Sequence, residues 1–132
     1  MATTNQYPLT SRWVRSKAIT SAMANSTAAI IEVPAKTLVI QCIIYVETLL
    51  AGGTPSIDIG DGADDDGWID SVDITEATVG TYKAAAAGHG AYALTGKFYL
   101  AADTIDAVVA TGLTSGKAYV FAEMLPLADV MD

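Results

Sequence analysis

The residues best suited to chemistry are aspartates crowded into one short segment. Seven of them lie between Asp58 and Asp73, within sixteen residues. Carboxylate oxygens are the ligands that calcium prefers, so the segment has to be compared with a calcium-binding loop. With Gly67 at the sixth position of an EF-hand loop, Gly62 would occupy the first position and Asp73 the twelfth. Those two positions need an acid and a glutamate, so the segment is not an EF-hand.

A calcium site of another kind is the weaker of two interpretations of this segment. Its ligands would come from Asp61, Asp64, Asp65 and Asp66. The favoured interpretation is structural, because Asp and Gly both tolerate the backbone dihedral angles of tight turns. We therefore predict no cofactor and no metal, with calcium at these four residues as the alternative.

The residue types on which most enzymes depend are scarce. The sequence has one histidine and one cysteine. His89 lies between two glycines, in a setting too mobile for precise acid–base work. Cys42 falls on the apolar face of a candidate strand, where a cysteine packs as a small hydrophobic residue. A pair of catalytic carboxylates, as in glycosidases, cannot be recognised in the sequence, because the separation that defines it is spatial and some pair among fifteen acids will always look suitable. The sequence predicts no catalytic residue and no enzyme.

The composition is that of one folded domain. The chain has 132 residues, of which 52% are hydrophobic and 17% charged, and this balance excludes intrinsic disorder. The most apolar stretch, Leu38 to Val46, is far shorter than the ~20 residues that span a bilayer. The first residues lack the apolar core of an export signal. We expect a protein that is made in the cytoplasm and stays soluble there.

The charge is unevenly distributed along the chain. Fifteen acids against seven bases give a net charge of -8, which argues against binding to nucleic acid or to anionic lipid. Three of the bases precede the first acid, Glu32. We therefore predict an extended N-terminal arm over residues 1–20 and a single acidic domain over residues 21–132. An arm that also carries a tryptophan should dock on an acidic surface, and its docking residues are predicted to be Arg12, Trp13, Arg15 and Lys17.

The rest of the chain has the pattern of short β-strands separated by turns. β-branched residues are concentrated in the candidate strands, and glycine-containing turns separate them. About eight such strands and no long amphipathic helix predict an all-β fold, a jelly-roll-like antiparallel β-sandwich. The candidate strands are 28–33, 37–48, 56–60, 67–74, 80–84, 92–101, 104–111 and 117–125.

Two of the longer strands carry large side chains on both faces. Alternation predicts that Leu38, Ile40, Cys42, Ile44 and Val46 face the core, and that Ala118, Val120, Ala122 and Met124 do the same on the last strand. The opposite faces of a sandwich are usually polar. Here they carry apolar and aromatic residues, which we predict to be subunit contacts: Ile43, Tyr45, Tyr119 and Phe121.

Four segments carry a resemblance to a known group of proteins. They are TLVIQCIIYVET, PSIDIGDGADDDGWIDSVDI, GKFYLAADTIDAVV and SGKAYVFAEML. In this order they resemble small virion structural proteins of tailed bacteriophages, of the capsid decoration or cement type. The resemblance covers roughly residues 28–126. It includes no catalytic motif.

The resemblance implies a location and partners. Proteins of this type are built on jelly-roll-like sandwiches and bind as oligomers, often trimers, to the major capsid protein at symmetry points of the shell. We therefore expect a homotrimer on the capsid surface of a virion assembled in the host cytoplasm, with no nucleic-acid or membrane partner.

Three alternatives remain open at this point. Within the phage interpretation, the protein could belong to the tail, the neck or the head of a fibre. A carbohydrate-binding module would also be a β-sandwich, with Trp68, Tyr82 or Tyr92 as the stacking platform and calcium as a possible ligand. An enzyme on a jelly roll would need a histidine cluster, which one histidine cannot supply.

Overall fold

The fold is almost entirely β-structure. The computed structural model describes residues 6–52, 56–70, 80–83, 90–109 and 112–131. Within these ranges the only helix is a single 3-10 turn over Ser21–Met23, and none is long or apolar enough to cross a membrane. The strands are β1 (Arg12–Arg15), β2 (Ile19–Thr20), β3 (Ser26–Val33), β4 (Thr37–Gly52), β5 (Ile57–Gly60), β6 (Gly80–Lys83), β7 (Lys97–Tyr99), β8 (Asp103–Val109) and β9 (Leu113–Pro126).

The strands form two antiparallel sheets. The larger sheet has the order β1-β9-β4-β6, with β2 also pairing with β9 and β7 also pairing with β4. The smaller sheet has the order β3-β8-β5. The two sheets bury one apolar core between them, which includes Ile44 and Val120 of the larger sheet and Ile59 and Ile105 of the smaller one.

The pairing is nested in the manner of a jelly roll. β2 pairs with β9, β3 with β8, and β4 with both β6 and β7. The innermost pair is the bridge between Ile59 and Ile69, which closes the Asp-rich segment. A long antiparallel hairpin folded over in this way gives the two Greek keys of a jelly roll. The predicted all-β sandwich is confirmed.

The core-facing alternation is confirmed on the last strand and partly wrong on β4. Ala118, Val120, Ala122 and Met124 are all buried, as predicted. On β4 the buried side chains are Thr37, Val39, Cys42, Ile44 and Val46, so Leu38 and Ile40 were placed on the wrong face. The cause is a β-bulge between Val39 and Gln41, which adds one residue and shifts the alternation.

Two further predicted strands differ from the structure. Residues 91–95 form a turn, and only Lys97–Tyr99 of the candidate strand 92–101 pairs in the sheet. The turn depends on Gly90 and Gly96, whose φ angles of 51° and 71° favour glycine. Of the candidate strand 67–74, Ile69 forms a single bridge and residues 71–79 lie outside the described residues.

Part of the segment predicted as an arm belongs to the larger sheet. β1 and β2 both pair with β9, and Val14 packs against the core. Between them, the buried Ser16 hydroxyl accepts a hydrogen bond from the Val120 amide at 2.9 Å, and the Ser16 amide donates to the Val120 carbonyl at 2.8 Å. Residues 6–10 extend beyond β1 and are exposed.

Ile105 tests the assignment of the two faces of β8. It is fully buried, whereas Val108 on the opposite face is half-buried. Ile105→Ala should lower the free energy of unfolding by about 2–5 kcal/mol, because it leaves a cavity in the core. Val108→Ala should lower the free energy of unfolding by clearly less. Urea unfolding of both variants measures the difference, and equal losses would contradict the assignment.

Candidate functional site

The Asp61 carboxylate is the best-connected polar group in the described part of the chain. Asp61 follows β5 and its side chain is fully buried. Its Oδ1 accepts hydrogen bonds from the Ala63 and Asp64 amides, both at 3.0 Å, and from the Tyr92 hydroxyl at 3.2 Å. Its Oδ2 accepts from Lys97 Nζ at 2.6 Å and from the Tyr99 hydroxyl at 2.8 Å.

Aromatic rings enclose this ion pair. Lys97 Nζ lies 4.4 Å from the centre of the Tyr92 ring and 4.8 Å from that of Tyr99. The buried Trp68 packs edge-on against Tyr92, with 5.4 Å between the ring centres, and its indole N–H donates to the Tyr99 hydroxyl at 3.2 Å. Each polar group of this network therefore has a partner, which is the condition for keeping a charge inside a protein.

The backbone around Asp61 leaves no room for other side chains at two glycines. A Cβ at Gly60 would lie 2.1 Å from the Asp64 carbonyl oxygen, and one at Gly67 would lie 2.3 Å from the Tyr92 ring. The Asp61 amide closes the turn by donating to the Asp64 carbonyl at 2.9 Å. The structural interpretation of the Asp-Gly segment thus applies to Asp61, whose carboxylate holds the turn and the ion pair together.

The network shifts the pKa values of its members. Burial alone would raise the pKa of Asp61, but hydrogen bonds from Lys97, Tyr99 and two backbone amides outweigh it and hold the pKa below its usual range. Burial alone would lower the pKa of Lys97, and the Asp61 contact outweighs it and raises the pKa. Both pKa shifts favour the charged forms of Asp61 and Lys97 at neutral pH.

The other three calcium candidates form a group of their own. Asp64, Asp65 and Asp66 can bring their carboxylate oxygens within 4.8 Å of one another. A hard cation could be held by such oxygens. Asp61 is already engaged by the protein on both oxygens. Calcium binding by the remaining three stays a prediction.

Of the two residues considered for catalysis, the structure describes only Cys42. Cys42 is buried, and desolvation raises the pKa of its thiol, which keeps it protonated. His89 lies outside the described residues. A buried thiol that stays protonated is a poor nucleophile.

The stacking platform of a carbohydrate-binding module is not formed by Trp68. Its side chain is buried in the core. Tyr92 is half-buried and its hydroxyl and ring are engaged by Asp61, Lys97 and Trp68. The side chain of Tyr82, the third residue of that prediction, is outside the described part of the chain.

The four residues predicted as subunit contacts lie side by side on the outward face of the larger sheet. Ile43 is directly opposite Phe121, and Tyr45 is directly opposite Tyr119, across β4 and β9. All four are half-buried within the single chain. Cross-strand pairs of this type stabilise the sheet itself. We call this group the outward face; its role in subunit contact stays a prediction.

The four predicted docking residues lie near one edge of the same sheet. Trp13 and Arg15 share the side of the sheet that carries the outward face, because they lie opposite Glu123 and Phe121. The Arg15 guanidinium stacks 4.8 Å from the centre of the Tyr119 ring of its own chain. Arg12, Trp13 and Lys17 are exposed.

Sequence reasoning missed Lys97 and Tyr99 as partners of Asp61. They are separated from it by 36 and 38 residues, and no local spacing links them. It also missed the exposure of Leu100, which is 70% accessible. One general rule could have pointed to such a partner: a buried aspartate needs a cation beside it, and the chain has few bases from which to choose.

Comparison with known proteins identifies the fold. The chain matches no protein-family model and no curated protein. A chain of the Cyanophage Pam1 capsid asymmetric unit is similar, with a TM-score of 0.65 and 14% identity over 96% of this chain and 91% of that chain. A chain of the acidic stable capsid structure of Helicobacter pylori bacteriophage KHP30 has a TM-score of 0.56 and 12% identity, over 87% and 86%. The chain shares its fold with proteins of two phage capsids, in agreement with the resemblance found in the sequence.

Removing the charge of Asp61 should destabilise the fold. Asp61→Asn leaves Lys97 facing a neutral amide in a largely buried site, so we expect the free energy of unfolding to fall by about 2–4 kcal/mol at neutral pH. The double variant Asp61→Asn with Lys97→Met should recover part of the loss. Urea unfolding measures both, and an unchanged midpoint in Asp61→Asn would contradict the role given to the ion pair.

The same carboxylate predicts a loss of stability in acid. Because the pKa of Asp61 is lower in the folded chain than in the unfolded one, its contribution is complete above about pH 4 and is lost as the pH falls through the folded value. The free energy of unfolding should therefore fall more steeply below about pH 4 in the wild type than in Asp61→Asn. Parallel pH profiles of the two proteins would contradict this.

The pKa of Asp66 is shifted upwards, in the opposite direction to that of Asp61. A hydrogen bond with Asp64, then burial and the charges of Asp64, Asp70 and Asp58, raise the pKa of Asp66 to about 6. Its contribution to stability is complete below its unfolded pKa and is lost as the pH rises through about 6. Asp64→Asn should return the pKa of Asp66 towards 3.8. Carboxyl-carbon NMR over a range of pH measures this pKa. Asp129→Asn is the control, and titration of Asp66 near 4 in the wild type would contradict this.

Proposed function

We propose that the protein is a structural component of a phage virion that binds the outside of the capsid as an oligomer and stabilises the shell. One observation carries the proposal: the jelly roll is shared over nearly the whole length of this chain and of a chain from a phage capsid, at a TM-score of 0.65. A match that covers 91% of the other chain leaves little of it unaccounted for. The partner in this proposal is the major capsid protein.

The action proposed for the protein is mechanical and not enzymatic. Each oligomer would bridge neighbouring capsomers, so that opening the shell also requires breaking these added contacts. Many identical contacts on one particle give an avidity that a single copy does not have. The net charge of -8 keeps the exposed side of such a layer soluble. We place the assembly of this layer in the host cytoplasm.

The proposed oligomer is a trimer held together through the outward face. The paired side chains of Ile43 with Phe121 and Tyr45 with Tyr119 form a continuous apolar and aromatic strip on a sheet side that is usually polar. Arg15 borders the strip through its contact with Tyr119. Aromatic residues and arginine are enriched in protein–protein interfaces.

The oligomer is tested by mass in solution. Light scattering after size exclusion should give about three times 13.7 kDa for the wild type. Tyr45→Ser and Tyr119→Ser should lower this mass, and Leu49→Ser, which alters an exposed leucine on β4 beyond the four paired residues, should not. Near-UV circular dichroism checks that each variant is folded. A monomeric wild type would contradict the proposed trimer.

The location is tested on particles of the phage that encodes the protein. Particles made without it should bind the purified protein in a saturable way when sedimented, and should then release their DNA at a higher temperature. Binding to isolated tails instead of capsids would favour the tail, neck or fibre alternative. Absence of binding to either would contradict a virion role.

A further inference from the structure

Several loops of the sandwich meet at the end where β1 begins and β9 ends. Thr37 pairs with both Tyr99 and Pro126, which brings the ends of three strands together. The Lys36 amide donates to the Leu100 carbonyl at 3.3 Å, and the Leu127 amide donates to the Lys36 carbonyl at 2.8 Å. We call this end, with residues 6–11, 34–36, 100–102 and 127–131, the loop end.

The N-terminal segment brings exposed apolar side chains to the loop end. Tyr7 is 62% accessible, Trp13 is 48% accessible, and Leu9 between them is also exposed. Their positions differ by two and four residues, and such even spacing puts side chains on one side of a chain wherever it is extended. The exposed Arg12 adds a positive charge on the other side of β1 from Trp13, because it lies opposite Met124. We call Tyr7, Leu9, Arg12 and Trp13 the N-terminal strip.

A second exposed patch of opposite charge lies at the same end. Leu100 and Met131 are among the exposed large apolar side chains. The exposed Asp103 and Asp129 lie close to them along the chain, and the Lys36 amine is held by the Met131 carbonyl at 3.3 Å. We call Leu100, Asp103, Asp129 and Met131 the tail patch.

The strip and the patch do not cover each other within one chain. Both lie at the loop end, yet their apolar side chains stay exposed. Exposed apolar side chains that lie together mark interaction surfaces in soluble proteins. The strip carries the positive charge of Arg12, and the patch carries the negative charges of Asp103 and Asp129. The same difference holds along the chain, because residues 1–20 carry three bases and no acid, and all fifteen acids follow. A surface that attracts this strip is thus present on every copy of the chain.

We infer that the N-terminal strip of one copy docks on the tail patch of a second copy, and that the strip of the second copy docks on the patch of the first. Because both surfaces lie at the same end, one two-fold contact can engage both pairs at once. Apolar contact would supply the affinity, and the Arg12 charge facing Asp103 and Asp129 would fix the orientation. The inference rests on the proposed function only in that it concerns copies that associate, and it adds a contact separate from the outward face.

Truncation of the apolar groups gives the first test. Sedimentation of the full chain over a range of concentrations measures its association. Leu9→Ser and Leu100→Ser should each weaken this association about tenfold or more. Leu49→Ser is the matched control, because Leu49 is also an exposed leucine and lies at the opposite end of the β4–β9 pair. Unchanged association in both loop-end variants, or an equal loss in the control, would overturn the inference.

Reversal of the charges gives the second test. Arg12→Glu and Asp129→Arg should each weaken association when studied alone, because they place like charges in the contact. An equal mixture should restore it, because each strip in the mixed pair then faces an opposite charge. Glu47→Arg, at an exposed site away from the loop end, controls for net charge. A mixture that associates no better than its components would overturn the inference.

The outcomes separate this inference from the proposed function. Loop-end variants that keep wild-type association but still bind capsids would overturn only the docking of the strip on the patch. A wild type that stays monomeric at every concentration would overturn the docking and the trimer. The capsid-binding experiment has its own readout and decides the virion role in either case.

Discussion

A fully buried carboxylate sets the strictest requirement in this structure. An uncompensated charge in a protein interior is costly, so Asp61 needs a cation and several hydrogen-bond donors around it. Lys97 supplies the charge, and Tyr92, Tyr99 and two backbone amides supply the rest. Asp61 follows a strand of the smaller sheet, whereas Lys97 and Tyr99 belong to the larger one. The ion pair therefore joins the two layers of the sandwich and fixes their positions relative to each other.

The jelly roll explains why so short a chain can present several separate surfaces. Its nested pairing brings the start of the chain beside the last strand, so that β1 and β2 become the edge of the larger sheet. The loops then collect at the ends, and the outward face stays on the side of the sheet away from the core. The contacts proposed between copies require separate surfaces of this kind.

Much of the fold could be predicted from the sequence, because the strands alternate with period two. Ile105, Ala107 and Val109 are buried as that period requires, and so are the alternate residues of β9. The prediction failed where a bulge added a residue, at Leu38 and Ile40 on β4. It also extended a strand over residues 92–95, where the chain turns at glycines with positive φ. Bulges and turns of this kind depend on contacts with other parts of the chain.

The sequence by itself determined the sandwich, the acidic body and the presence of large side chains on the outward faces, because composition and alternation are local properties. Only the tertiary structure decided which aspartate is buried, since the partners of Asp61 come from a strand more than thirty residues away. It alone also decided that the predicted arm contributes an edge strand and that Leu100 is exposed. The physical reason is that burial and charge pairing are set by distance in space, and the fold brings together residues that no sequence pattern connects.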